Sequence, residues 1–156
     1  APSGSELSRL GQAPKHHLAD PALAARLLGL TREALLDGEG TPVGPQVGSM
    51  LGHLFESLVT LCVRVAGQAA EASVGHLRTR NGDHEVDLVV VRDDGRAVAI
   101  EVKLANTVTD ADVRHLHWLT EHAGASVVDA IVINTGPNAY RRPDGIGVVP
   151  LGVLGD

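Results

Sequence analysis

The chain has 156 residues, of which 44% are hydrophobic and 21% charged, and its formal net charge is −6. That length supports one domain with a real core, and no apolar run approaches the ~18 residues a membrane span needs. The acidic balance works against a strong non-specific grip on a phosphate backbone. Phe55, Trp118 and Tyr140 are the only large aromatics, too few for the usual stacking platform of a single-strand binder. The core must therefore be aliphatic. The lone Cys62 makes no internal disulfide, which fits a reducing, cytoplasmic setting. The polar start shows no secretory signal. It begins at Ala1 rather than Met, so residues 1–12 read as a linker or cloning remnant with room for a short helix. Residues 13–156 read as one domain of a longer protein.

In chain order, residues 15–18 suit a short strand. Asp20 is placed as an N-cap with Pro21 at the first helical position, which opens a helix over 22–30. Thr31 restarts a helix containing Ala34, Leu35 and Leu36. Residues 38–48 carry four glycines and two prolines and form a loop. A long helix follows over about 47–69, with Leu51, Leu54, Phe55, Leu58, Leu61, Cys62 and Val65 as its expected buried stripe. On that reading Cys62 is a core residue. Glu56, the only acid in this helix, lies beside the stripe with Gly52, Val59 and Val63. Its mid-helix position does not suit a helix-dipole role.

The period then changes to that of strands. Residues 73–79, 85–91 and 98–104 read as strands, separated by Asn81-Gly82-Asp83 and Asp93-Asp94-Gly95. The last two are apolar on both faces, so they are expected to be central. Thr109 or Asp110 is expected to cap a helix through about His122. Residues 127–133 form a strand, 135–145 a Gly/Pro-rich loop, and 146–149 a last strand ended by Pro150. Helix, three strands, helix, strand, strand predicts an α/β layer fold with a mixed sheet.

Strand alternation puts Ala97, Ala99, Glu101 and Lys103 on one face, and Glu85, Asp87, Val89 and Val91 on one face of the preceding strand. A three-residue hairpin loop with Gly95 left-handed opposes Arg92 to Arg96, Val89 to Ala99, Asp87 to Glu101 and Glu85 to Lys103. Two opposed carboxylates among aliphatic neighbours call for compensation, and a hard divalent cation, Mg²⁺ or Mn²⁺, is a natural one. Such an ion polarises a phosphodiester and activates bound water, with Lys103 orienting the water or stabilising developing charge. Glu56 would join from its helix. The plainer alternative is a strand-end ion pair between Glu101 and Lys103, with Asp87 as the solvated start of its strand.

Gly52-His53-Leu54-Phe55-Glu56, Arg78-Thr79-Arg80 through Gly82, Glu85-Val86-Asp87 and Ile100-Glu101-Val102-Lys103 follow one another in a characteristic order. Together they resemble the uncharacterised C-terminal domain found behind AAA-type ATPase modules in prokaryotes, a member of the PD-(D/E)XK nuclease-like superfamily. Pro14-Lys15, Asp20-Pro21-Ala22-Leu23 and Gly147-Val148-Val149-Pro150-Leu151 extend the likeness over about residues 13–154. The resemblance implies a restriction-endonuclease-like mixed sheet flanked by helices. It implies Asp87, Glu101 and Lys103 as the signature triad and Glu56 as the helix-borne acid. It also implies a Mg²⁺ or Mn²⁺ cofactor, DNA as substrate, and an ATPase module upstream in the same chain as partner. A homo-oligomer is a further possible partner arrangement, and no membrane partner is expected. No Walker-type G-x-x-x-x-G-K-[ST] occurs, so no ATP site is expected in these residues. Fold alone does not establish activity. A non-catalytic interaction or regulatory domain of the ATPase is the alternative.

Arg78 and Arg80 lead toward the acids and are read equally as nucleic-acid contacts or as a solvated strand face. Arg141 and Arg142 read as solvated loop charge. The eight histidines come without Cys-x-x-Cys or His-Glu-x-x-His patterns, so they are expected to be exposed or capping, with His84 a turn residue. Trp118 reads as a core anchor or partner contact.

Overall fold

In the computed structural model, Asp20, Ala22 and Met50–Leu154 are described. The expected linker, the 15–18 strand, the helix starting at Thr31 and the 38–48 loop lie outside the described residues. Asp20 is exposed and outside a helix, and Ala22 is helical. The chain divides into two compact units, His16–Cys62 and Ala1–Lys15 with Val63–Asp156. Helix α1, Met50–Ala69, contains the division.

In the first unit, Leu54, Phe55, Ser57, Val59 and Thr60 are buried, whereas Leu58 and Leu61 are more than 40% exposed. Cys62 is also exposed. In the second unit, Val63 is buried and Val65 exposed. The expected stripe is therefore corrected. Leu58, Leu61, Cys62 and Val65 face outward, and the buried side is the one that carries Val59 and Val63. Thr60 is tolerated on it because its hydroxyl donates to the Glu56 carbonyl at 2.8 Å, inside the helix.

The second unit is a six-stranded mixed sheet in the order β1-β2-β3-β4-β6-β5. The strands are β1 Ser73–Arg78, β2 Glu85–Val91, β3 Ala97–Val102, β4 Val127–Asn134, β5 Tyr140–Arg141 and β6 Gly147–Pro150. The first three are antiparallel neighbours. β4 runs parallel to β3, and β6 parallel to β4. β5 is antiparallel to β6 at the edge. This strand arises within the expected 135–145 loop, and Pro150 is the last residue of β6 rather than a residue beyond it. Pro150 opposes Asn134 at the ladder's end, a position where a missing N–H is tolerated.

The crossover from β3 to β4 carries helix α2, Arg114–Ala123, preceded by a 3-10 turn at Ala111–Val113. Val113, Leu116 and Leu119 are essentially fully buried and pack with Val89, Ala97, Ala99, Ala130 and Val132. The small Ala97 and Ala99 let the helix approach β3 closely. Asp110, at the N-cap of the 3-10 turn, makes no side-chain cap bond. At Thr109 the helix start is tied by its N–H, which donates to the Asp112 carboxylate at 2.9 Å. On the other face, Gly67 of α1 lies against Val74, where an added Cβ would sit 2.6 Å from a Val74 methyl. Leu88, Ile100 and Ile133 are also buried.

Candidate functional site

The hairpin joining β2 and β3 sets the register on which the site depends. Gly95 has φ +80°, a conformation glycine adopts without steric cost. Arg92 N–H donates to the Arg96 carbonyl, and Gly95 N–H to the Arg92 carbonyl, both at 2.9 Å. The three-residue loop is as expected. Val91 pairs with Ala97, Val89 with Ala99 and Leu88 with Ile100.

The ladder stops there, one step before Asp87 would meet Glu101. Its cause lies on the other side of β2. Gly75 pairs with Val89 but Leu77 pairs with Val86, so β2 spends one residue more than β1 between those pairs. This is a β-bulge, which terminates pairing and re-aims side chains. It also explains why Val86 and Val89, three apart, share one core cluster. The expected alternation of Glu85, Asp87, Val89 and Val91 therefore ends at the bulge. The expected facing of Asp87 to Glu101 and of Glu85 to Lys103 is not part of the ladder.

Continued register would give the Val102 N–H the Val86 carbonyl as partner. Instead the Asp87 carboxylate accepts it, at 2.9 Å. That N–H belongs to the peptide joining Glu101 to Val102, so Asp87 and Glu101 border the same peptide. Both are half-buried. A carboxylate holding a backbone N–H is a charge-assisted bond, stronger than a neutral one.

Lys103 follows β3. Its N–H donates to the Ile133 carbonyl at 2.9 Å, extending the parallel ladder. Its ammonium pairs with Asp112 at 3.0 Å, and the lysine side chain is about half exposed. Burial pushes the Asp112 carboxyl up, but the Thr109 N–H and the Lys103 ammonium outweigh it, and the pKa lies below 3.8. Lys103 is thus brought to Asp112, a partner the sequence did not suggest. Glu56 belongs to the other compact unit and is half-buried there. Arg78 ends β1 opposite Glu85, and Arg80 is an exposed residue of the following turn.

Asp87 and Glu101 offer oxygen donors of the kind Mg²⁺ or Mn²⁺ takes. Among the described residues, no group of three or more His, Cys, Asp or Glu side chains is placed to hold a metal ion. A pair of carboxylates still suits Mg²⁺, which is commonly held by one or two carboxylates, waters and a substrate phosphate. A depression lined by Asp94, Arg96, Glu121, His122 and Ser126 lies beside the hairpin, at the opposite end of β2 and β3.

Arg142 is a structural hub, in place of the expected solvated loop charge. It donates to the Val108 carbonyl at 3.1 Å and pairs with Asp110 and Asp144. Those charge-assisted bonds to Asp144 and Asp110 outweigh burial and hold its guanidinium pKa well above the ordinary value. The Arg142 guanidinium likewise holds the Asp144 carboxyl far below the carboxylate range. Arg141 pairs with Asp129 at 2.7 Å.

Residues 51–154, well over half of the chain, match the domain of unknown function DUF4143. The chain belongs to this family. The match starts at Leu51, later than the residue-13 start expected from the short motifs. Among curated proteins, none matches the sequence. No helix among the described residues is long and apolar enough to cross a membrane.

Proposed function

We propose that this DUF4143 domain is a metal-dependent phosphodiesterase of the PD-(D/E)XK type, acting on DNA within a cytoplasmic, ATPase-linked protein. The observation that carries this reading is the split between β2 and β3. The bulge turns Asp87 onto the Glu101–Val102 peptide, so two half-buried carboxylates border one interruption in the sheet. The element order, a helix, three antiparallel strands, a helix and a parallel strand, is in keeping with it. Asp87 and Glu101 would hold a Mg²⁺ or Mn²⁺ ion. When bound, that ion supplies Lewis-acid polarisation of a phosphate and an activated water. Asp87 has a second task, since it fixes the peptide that carries Glu101. Lys103 carries the positive charge nearest in sequence, and its half-exposed ammonium, held by Asp112, would turn toward a bound phosphate. Arg78 and Arg80 hold the backbone of the substrate.

The test is cleavage of linear, branched and single-stranded DNA, and of RNA, with Mn²⁺ or Mg²⁺. Cleavage by the wild type that is lost in Asp87→Asn and Glu101→Gln supports the reading. Cleavage retained in both variants, or its absence from the wild type on every substrate, overturns it.

A second reading rests on the Lys103–Asp112 pair together with the net charge of −6. On it, the domain is a non-catalytic interaction or regulatory module of an AAA-type ATPase, and the lysine is structural. Binding to the ATPase module that survives Asp87→Asn and Glu101→Gln, without cleavage by either partner, would favour it.

A further inference from the structure

Away from the carboxylates, a second group of side chains is held in unusual order. The turn after β1 closes on His84. Thr79 N–H donates to the His84 carbonyl at 2.9 Å, and His84 N–H donates to the Thr79 hydroxyl at 3.1 Å. With its backbone pinned on both sides, the His84 ring stacks on Trp118, with centroids 4.1 Å apart and planes within 8°. Trp118 also stacks on His122, whose Nδ1 meets the Trp118 carbonyl at 2.8 Å. One helical turn before Trp118, His115 meets His84 edge to face, with the two Nδ1 atoms 3.4 Å apart.

Two nitrogens 3.4 Å apart make a long hydrogen bond, since N–H contacts cluster near 2.9–3.0 Å. The same separation suits two ligands of one small cation. Nitrogens bound at 2.0–2.1 Å in tetrahedral geometry lie about 3.4 Å from each other. Both rings are half-buried and fixed by stacking or by the helix, so little freedom is left to lose on binding.

We propose that His84 and His115 form a two-histidine site for a borderline divalent cation of the Zn²⁺, Co²⁺ or Ni²⁺ class, bound through their Nδ1 atoms. Imidazole nitrogen suits these ions and not Mg²⁺, so the site is chemically distinct from the carboxylate pair and does not depend on it. Among the described residues no third His, Cys, Asp or Glu completes a ligand set, so water fills the remaining positions. Burial, Arg114 and His84 keep the His115 pKa below 6.5 against the opposing charges of Glu85 and Asp87. Arg114 Nε donates to His115 Nε2 at 3.2 Å, which puts the ring proton on Nδ1. Cation binding moves that proton to Nε2 and releases Arg114, with no net loss of a proton.

The experiment is a titration of the chain with Zn²⁺ and Co²⁺, with Mg²⁺ as competitor. Imidazole ¹⁵N shifts in the wild type report which nitrogens bind, independently of any variant's folding. The expected result is a shift at Nδ1 of both rings, insensitivity to Mg²⁺, and binding weakened about tenfold or more in His115→Gln. Arg114→Gln should bind more tightly. The absence of Nδ1 shifts on either ring, or unchanged affinity in a folded His115→Gln, would overturn the site.

Discussion

The two ends of the β2–β3 pair share a register and differ in everything else. At the hairpin end, Asp93-Asp94-Gly95 closes the strands with backbone bonds, and the Arg96 guanidinium and N–H both bond Asp94. At the other end a single extra residue, forced by pairing with β1, ends the ladder at Leu88 and Ile100. There a side chain, Asp87, takes the place of a main-chain carbonyl. A complete ladder consumes every backbone group and leaves nothing for a ligand. An interrupted one keeps its groups satisfied only by recruiting polar side chains, and so concentrates charge where the sheet opens.

The comparison can be broken at several points. Between the two ends, Leu116 is fully buried against both strands, and Leu116→Ala should lower stability by about 2–5 kcal/mol, read by denaturant unfolding. At the open end, Asp87→Ala leaves the Val102 N–H without its acceptor and should lose about 1–3 kcal/mol. Asp87→Asn keeps an acceptor and should lose less. An equal loss in both variants would mean that charge, not the backbone bond, matters there. At the closed end, Gly95→Val puts a β-branched residue at φ +80° and should lose about 1–2 kcal/mol without touching the open end.

Smaller effects sharpen the picture. Asp112 has a folded pKa below its ordinary 3.8, so its stabilising share is complete above that value. As pH falls below 3.8 toward the folded pKa, that share is lost. Acid unfolding should therefore be steeper in the wild type than in Asp112→Asn. Lys103→Met should change stability by no more than about 1 kcal/mol, with a loss that shrinks in high salt.

Much of this is legible in the sequence. Gly95 after two aspartates announces its loop, and the apolar alternation around it announces central strands, because both signals are local. Asp87 was legible as an acid near Glu101, but its bulge was not, since the extra residue is defined only against β1. The stripe of α1 misled for a related reason. Leu54 and Phe55 are buried as expected, but the buried side continues through Ser57, Thr60 and Gly67 with valines, while Leu58, Leu61 and Val65 make a more hydrophobic outer line. Arg142 was missed because, beside the nearby Asp144, its partners Val108 and Asp110 lie more than thirty residues away, and no periodicity encodes them. The His84–His115 contact spans 31 positions and was hidden in the same way. The one hint was that His115, Trp118 and His122 share a helical side.

The smallest strand has a consequence for handling the protein. β5 is two residues long, both exposed, and it lies outside β6 at one border of the sheet. Without it, β6 would present Gly147, Val148 and Val149 as an open apolar template for another chain. A border so short, ending in an arginine engaged with Asp129, offers an incoming strand almost nothing to zip against. Tyr140 and Arg141 thus act as a selvage, and replacing them with proline should shorten the shelf life of concentrated samples before it alters the fold.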